Sequence, residues 1–156
     1  SMLADQIEAG AQAVMLFDSW SGLLPPEEFR RHVIAPTKQI VSFLKKRYPD
    51  VPVIGFPRLA GVMAPEYARE TGVDAMALDT GSDLTTVAAQ VDPRLVLQGN
   101  LDPVAVLAGG EAMKREALSI REAGRGRPHV FNLGHGVLPE TPPEHVGDLI
   151  AALRTI

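Results

Sequence analysis

Four histidines occur in the 156 residues, and only one stands between two glycines: His135, in the run VFNLGHGVL at 130–138. An imidazole changes charge near neutral pH and can donate or accept a hydrogen bond, so it suits proton transfer or carboxylate recognition. The flanking Gly134 and Gly136 leave the backbone free to take positive φ and to approach a neighbour closely. His32, His129 and His145 lack that setting and read as structural. Ser19, in FDSWSG (17–22), is either a ligand-binding hydroxyl or a loop or helix-cap serine. It lacks the G-x-S-x-G elbow of an activated nucleophile. Arg58, in GFPRLAG (55–61), carries a guanidinium suited to gripping a carboxylate, with a surface ion pair as the other reading. Asp79, in LDTGSD (78–83), is either a base or the cap of the following helix. Asn100 and Asp102 shape a turn into a helix starting near Pro103, and Gly109-Gly110 marks a helix break rather than a phosphate loop.

The elements that must position these groups alternate. Short runs that are apolar at every position recur at 13–17, 51–56, 75–78, 95–97 and 129–133. That is how strands buried on both faces of a parallel sheet read. Between them lie amphipathic stretches at 27–48, 65–71, 83–90, 111–123 and 143–154, with a helical lead-in at 3–9. Pro36 should kink or interrupt the first. Thr141, three residues before Glu144, is a candidate N-cap for the last. Alternation of this kind implies right-handed βαβ crossovers in one cooperative unit. In such folds the loops after the strands build the site. All five strand ends here are polar, charged or glycine-rich, as expected of one face made for a ligand.

Composition narrows the classes. Hydrophobic residues make up 46% and charged residues 22%, a globular balance. A net charge of −4 argues against a nucleic-acid or anionic-membrane surface. Without cysteine there are no disulfides and no thiolate nucleophiles or metal ligands, and the cytoplasm is the default location. No apolar run approaches the roughly 20 residues of a membrane span. No partner ligand sits at metal spacing from His135, so no metal is expected.

The stretches GAQAVMLFDSW (10–20), LQGNLDP (97–103) and FNLGHGVLPETPPEHV (131–146) closely resemble the uroporphyrinogen decarboxylase family, in order and spacing. The resemblance implies a (β/α)₈ TIM barrel that works without metal or organic cofactor, usually as a homodimer. Its haem-biosynthesis chemistry turns the four acetate side chains of uroporphyrinogen III into methyl groups, giving coproporphyrinogen III. Carried onto this sequence, the family's active-site serine matches Ser19 and its active-site histidine matches His135. Arg58 stands in a form of the loop seen in some bacterial members, which places it near the cleft as a further substrate-binding residue. Thr80 departs from the tryptophan that many relatives carry.

A complete barrel takes about 250 residues, so this chain supplies about five βα units, the C-terminal portion of one barrel domain. The amino-terminal arginine-rich motif, the aspartate that meets the pyrrole N–H groups, and a cleft tyrosine have no counterpart here. The expectation is therefore a fragment of the enzyme, with little activity alone and a tendency to self-associate. Two alternatives stand beside it. One is a non-catalytic tetrapyrrole-binding module. The other is a corrinoid-linked methyltransferase of the same superfamily, against which the missing cysteines argue because those enzymes bind zinc through cysteine and histidine.

Overall fold

The computed structural model describes residues 2–155. Five strands form one parallel sheet: β1 (Val14–Asp18), β2 (Val53–Pro57), β3 (Ala75–Ala77), β4 (Val96–Gln98) and β5 (His129–Val130). Their order in space is their order in sequence. Val14 lies opposite Val53 and Asp18 opposite Pro57, which aligns the carboxyl ends of the first two strands. The helices are α1 (Met2–Glu8), α2 (Pro26–Phe29), α3 (Ala35–Arg47), α4 (Ala64–Thr71), α5 (Leu84–Ala88), α6 (Pro103–Ala108), α7 (Gly110–Ala123) and α8 (Pro143–Arg154). Sequential strand order with a helix in each crossover is the arrangement of a (β/α)₈ barrel, here as five strands of it.

Strand and helix side chains share one main core. Val14, Val53, Met76 and Leu97 meet Val33, Val41, Leu44, Tyr67, Leu84 and Val87. Each such side chain contributes about 1.5–3 kcal/mol by leaving water. A glycine makes the tightest part possible: a Cβ at Gly55 would strike the Tyr67 ring. A second cluster joins Leu101, Val106, Met113, Ala117 and Leu149, fixing α6, α7 and α8 to each other.

Two local expectations differ from the structure, and the interruption expected at Pro36 takes the form of a widened helical turn. A π-helical turn over Arg30–Ile34 joins α2 to α3, with the Ala35 N–H reaching back to the Arg30 carbonyl. The widened turn absorbs the hydrogen bond that proline cannot make. Thr141 is not the N-cap of α8. Pro142 holds that position, and the Thr141 hydroxyl is buried without a partner. The fifth strand is two residues long rather than five, because the Asn132 side chain accepts the Leu133 N–H at 2.8 Å and competes with the ladder. Pairing resumes at an isolated bridge between Leu101 and Leu133.

One face of the sheet is open. Phe17, on the face away from the helices, is 69% exposed, so β1 is not buried on both sides as its apolar run implied. β1 pairs with β2 alone and β5 with β4 alone, leaving two outer edges among the described residues. No helix among them is long and apolar enough to cross a membrane.

Candidate active site

The five strand-end loops are knitted into one rim. After β1, the buried Ser21 hydroxyl donates to the carbonyls of Asp18 (3.2 Å) and Arg58 (3.0 Å). The Gly22 N–H donates to the Arg58 carbonyl at 3.0 Å. A Cβ at Gly22 would collide with the Leu59 carbonyl, so glycine is required for this contact. Of the two serines in FDSWSG, Ser21 therefore does the structural work, which leaves Ser19 to the cavity described below. The sequence signal for this was the Ser-Gly pair itself.

Leu59 has φ of 62°, a conformation that a leucine takes only where its surroundings hold it. Its N–H donates to Asp79 Oδ2 at 2.6 Å. Asp79 Oδ1 accepts the Gly81 N–H (2.9 Å) and the Ser82 hydroxyl (3.2 Å). Asp79 thus ties its own loop to the preceding one and does not cap α5. That cap is Asp83, which accepts the Thr86 N–H. The Asn100 amide donates to the carbonyls of Asp79 (2.7 Å) and Ser82 (2.6 Å), joining the fourth loop. Asp102 caps α6 through the Val104 N–H, as the turn reading required.

The fifth loop docks onto the third. A Cβ at Gly134 would collide with the Thr80 backbone nitrogen, and the Gly134 N–H donates to the Leu101 carbonyl at 2.8 Å. Neither Gly134 nor Gly136 has positive φ. The bracket around His135 thus reflects close approach at Gly134, while Gly136 faces open space.

The first and fifth of these loops and the open sheet face line a cavity of about 530 Å³. Its wall is Met15, Phe17, Phe56, Ala77, Leu133 and Val137, with Phe17 edge-on to Phe56 at 6.0 Å between ring centroids. Its polar groups are Ser19, Gln98, Asn132 and His135. Ser19 from the first loop and His135 from the last therefore face one space. Arg58 is not part of that lining; its Nη1 donates to the Ser19 carbonyl at 3.4 Å and braces the serine from behind. No lysine, arginine, aspartate or glutamate lines the cavity, so it offers hydrogen bonds and a titratable ring against an apolar wall, without fixed charge. No group of three potential metal ligands occurs among the described residues.

The other histidines lie elsewhere. His129 Nε2 bonds the Gly99 carbonyl at 2.9 Å, and its ring fills the space left by Gly124. His145 Nδ1 bonds the Val106 carbonyl at 3.0 Å beside Gly109. His32 pairs with Glu28 on the surface. A larger hollow of about 730 Å³ lies at the opposite ends of β3 and β4, next to Val73 and Leu95. Its Arg69 and Arg94 are paired with Glu70 and Asp92.

Fold and rim together define an α/β protein of the barrel type, with its candidate site at the carboxyl ends of the strands. The chain belongs to the uroporphyrinogen decarboxylase (URO-D) family, whose model matches residues 1–156. It is 66% identical over 155 residues to the uroporphyrinogen decarboxylase of Gluconacetobacter diazotrophicus, covering 99% of this chain and 44% of that protein. Those of Gluconobacter oxydans and Granulibacter bethesdensis are each 58% identical, covering 99% of this chain and 45% of theirs. The chain thus spans less than half the length of these relatives.

Proposed function

We propose that residues 1–156 form the C-terminal portion of a single barrel domain of a cofactor-free uroporphyrinogen decarboxylase in cytoplasmic haem biosynthesis. The observation that carries this reading is the meeting of Ser19 and His135 on one apolar cavity. In the reaction each acetate side chain loses CO₂ and gains a proton, becoming methyl. Protonating a pyrrole ring carbon creates the cation that accepts the electrons left by CO₂. A second protonation, on the exocyclic methylene carbon left by CO₂, completes the methyl group, and the ring carbon then gives up its added proton so that the neutral aromatic pyrrole returns. His135 is the catalytic residue of this half, hydrogen-bonding and orienting a substrate carboxylate, while the Ser19 hydroxyl anchors another. Arg58 fixes the Ser19 main chain from outside the cavity lining. The apolar wall of Phe17 and Phe56 suits the faces of pyrrole rings.

The cavity lacks the fixed charges that stabilise a pyrrole cation and hold several carboxylates. Removing one preorganised group from such a site costs ~10²–10³ in rate, so the chain alone binds substrate weakly and turns over poorly. The open sheet edges and the exposed Phe17 favour pairing with a second copy. The test is coproporphyrinogen formation, read after oxidation by porphyrin chromatography, by the chain alone and mixed with the amino-terminal half of a relative. Turnover only in the mixture supports the reading. Failure of the mixture to turn over, with both pieces folded and associated, argues against it. The absence of fixed charge in the cavity favours one second reading, a non-catalytic tetrapyrrole-binding module, which would bind the porphyrinogen and never decarboxylate it.

A further inference from the structure

Asp79 is 6% exposed, and both of its carboxylate oxygens are taken by main-chain or hydroxyl donors. A buried carboxylate is costly unless such donors satisfy it. Its hydrogen-bond partners connect three of the five rim loops, and a fourth rests on the turn they fix. Oδ2 holds the Leu59 N–H, and Leu59 directly follows Arg58. Oδ1 closes the turn at Gly81 and Ser82, whose N–H returns to the Asp79 carbonyl at 3.2 Å. That carbonyl also receives the Asn100 amide. The turn so fixed presents the Thr80 backbone on which Gly134 rests, one residue before His135.

We infer that Asp79 is a positioning residue for the proposed site. It lies outside the cavity lining and acts through two loops, setting where Arg58 and His135 stand relative to each other. Asn100 is its accessory, locking the same turn from the β4 side. The role in substrate handling rests on the function proposed above; the mechanical coupling does not.

The experiment compares Asp79→Ala, Asp79→Asn and the helix-cap control Asp83→Ala in the 156-residue chain, by amide and histidine-ring NMR with hydrogen exchange. In Asp79→Ala the sheet amides keep their positions. The Leu59 amide exchanges at least about tenfold faster, having lost its acceptor. The Gly134–Gly136 amides and the His135 ring shift. Asp79→Asn retains one oxygen and moves the same signals less, whereas Asp83→Ala moves Thr86 and leaves His135 in place. A folded Asp79→Ala chain with unshifted Leu59 and His135 signals overturns the inference. If Asp79→Ala does not fold, Asp79→Asn and Asn100→Ala are judged by the same signals. Binding of reduced uroporphyrinogen supplies a second arm through a double-mutant cycle. Asp79→Ala adds less than about twofold to the loss caused by His135→Ala, because it acts through that loop. Full additivity overturns the coupling. If the wild-type chain does not bind the porphyrinogen, the functional reading suffers, and the ligand-free NMR arm still decides the role of Asp79.

Discussion

Gly134 rests directly on the backbone of Thr80, with no room between them for even a methyl group. The contact seats the histidine-bearing loop on the loop that follows β3. It also separates the two glycines beside His135 into one that is sterically required and one that is not.

A paired substitution tests this. Gly134→Ala must push the two loops apart, and overpacking of this kind costs about 1–3 kcal/mol. Gly136→Ala meets nothing within 4 Å and has ordinary φ, so its stability should stay within about 0.5 kcal/mol of the parent. Urea unfolding of the two variants measures the difference. Equal stabilities would mean that the Gly134 contact is not tight.

Asp83 is the clearest local cap in the chain, accepting the Thr86 N–H at 2.6 Å. Asp83→Ala should destabilise the fold by about 1 kcal/mol. The loss should be confined to α5, so hydrogen exchange should quicken at Thr86 and Val87 but not in β3. Faster exchange throughout the sheet would show that α5 is more deeply coupled to the core.

Tyr67 lies in the core against Phe29 and Gly55, and burial pushes its phenol up to about 12 from the ordinary 10. The sign follows from linkage. Below pH 10 the phenol is neutral in both folded and unfolded chains, so its contribution does not change. Between pH 10 and about 12 the unfolded chain releases the proton first, and stability falls with rising pH. The expected loss across that window is about 3 kcal/mol. Tyr67→Phe should remove this alkaline component while leaving that of Tyr48, which is also raised, by its bond to Glu8. Identical alkaline unfolding curves for parent and variant would refute the assignment.

What repeats along the chain is legible in its sequence. The apolar runs lie within one or two residues of β1 to β4, and the 143–154 stretch coincides with α8. Each is set by local periodicity and by the residues at its ends. The rim was legible as a set of polar endings but not as a network. Nothing near Asp79 in sequence reveals that its partner is the Leu59 N–H, because that bond exists only when β2 and β3 lie side by side. On paper Ser19 is either a ligand group or a loop serine; the bond from the Ser21 hydroxyl to the Arg58 carbonyl shows that its neighbour holds the loop. The fifth strand looked long because FNL is apolar except at Asn132, and that one side chain diverts the backbone.

Two histidines separate catalysis from architecture within one residue type. His145 is bonded to the Val106 carbonyl and packed into the space at Gly109, remote from the cavity. His135 stands exposed on the cavity wall. His145→Ala should therefore cost stability, about 1 kcal/mol for the hydrogen bond plus the lost packing. Turnover of the complemented enzyme should change little at temperatures where it stays folded. His135→Ala should do the reverse. Its melting curve should match the parent, because no core contact is lost, while turnover should fall ~10²-fold, the lower range for losing one preorganised hydrogen-bonding group. Thermal unfolding and coproporphyrinogen formation, measured on both variants, give four numbers that must cross in this way. Two variants that lose activity only in proportion to stability would leave His135 without a chemical role.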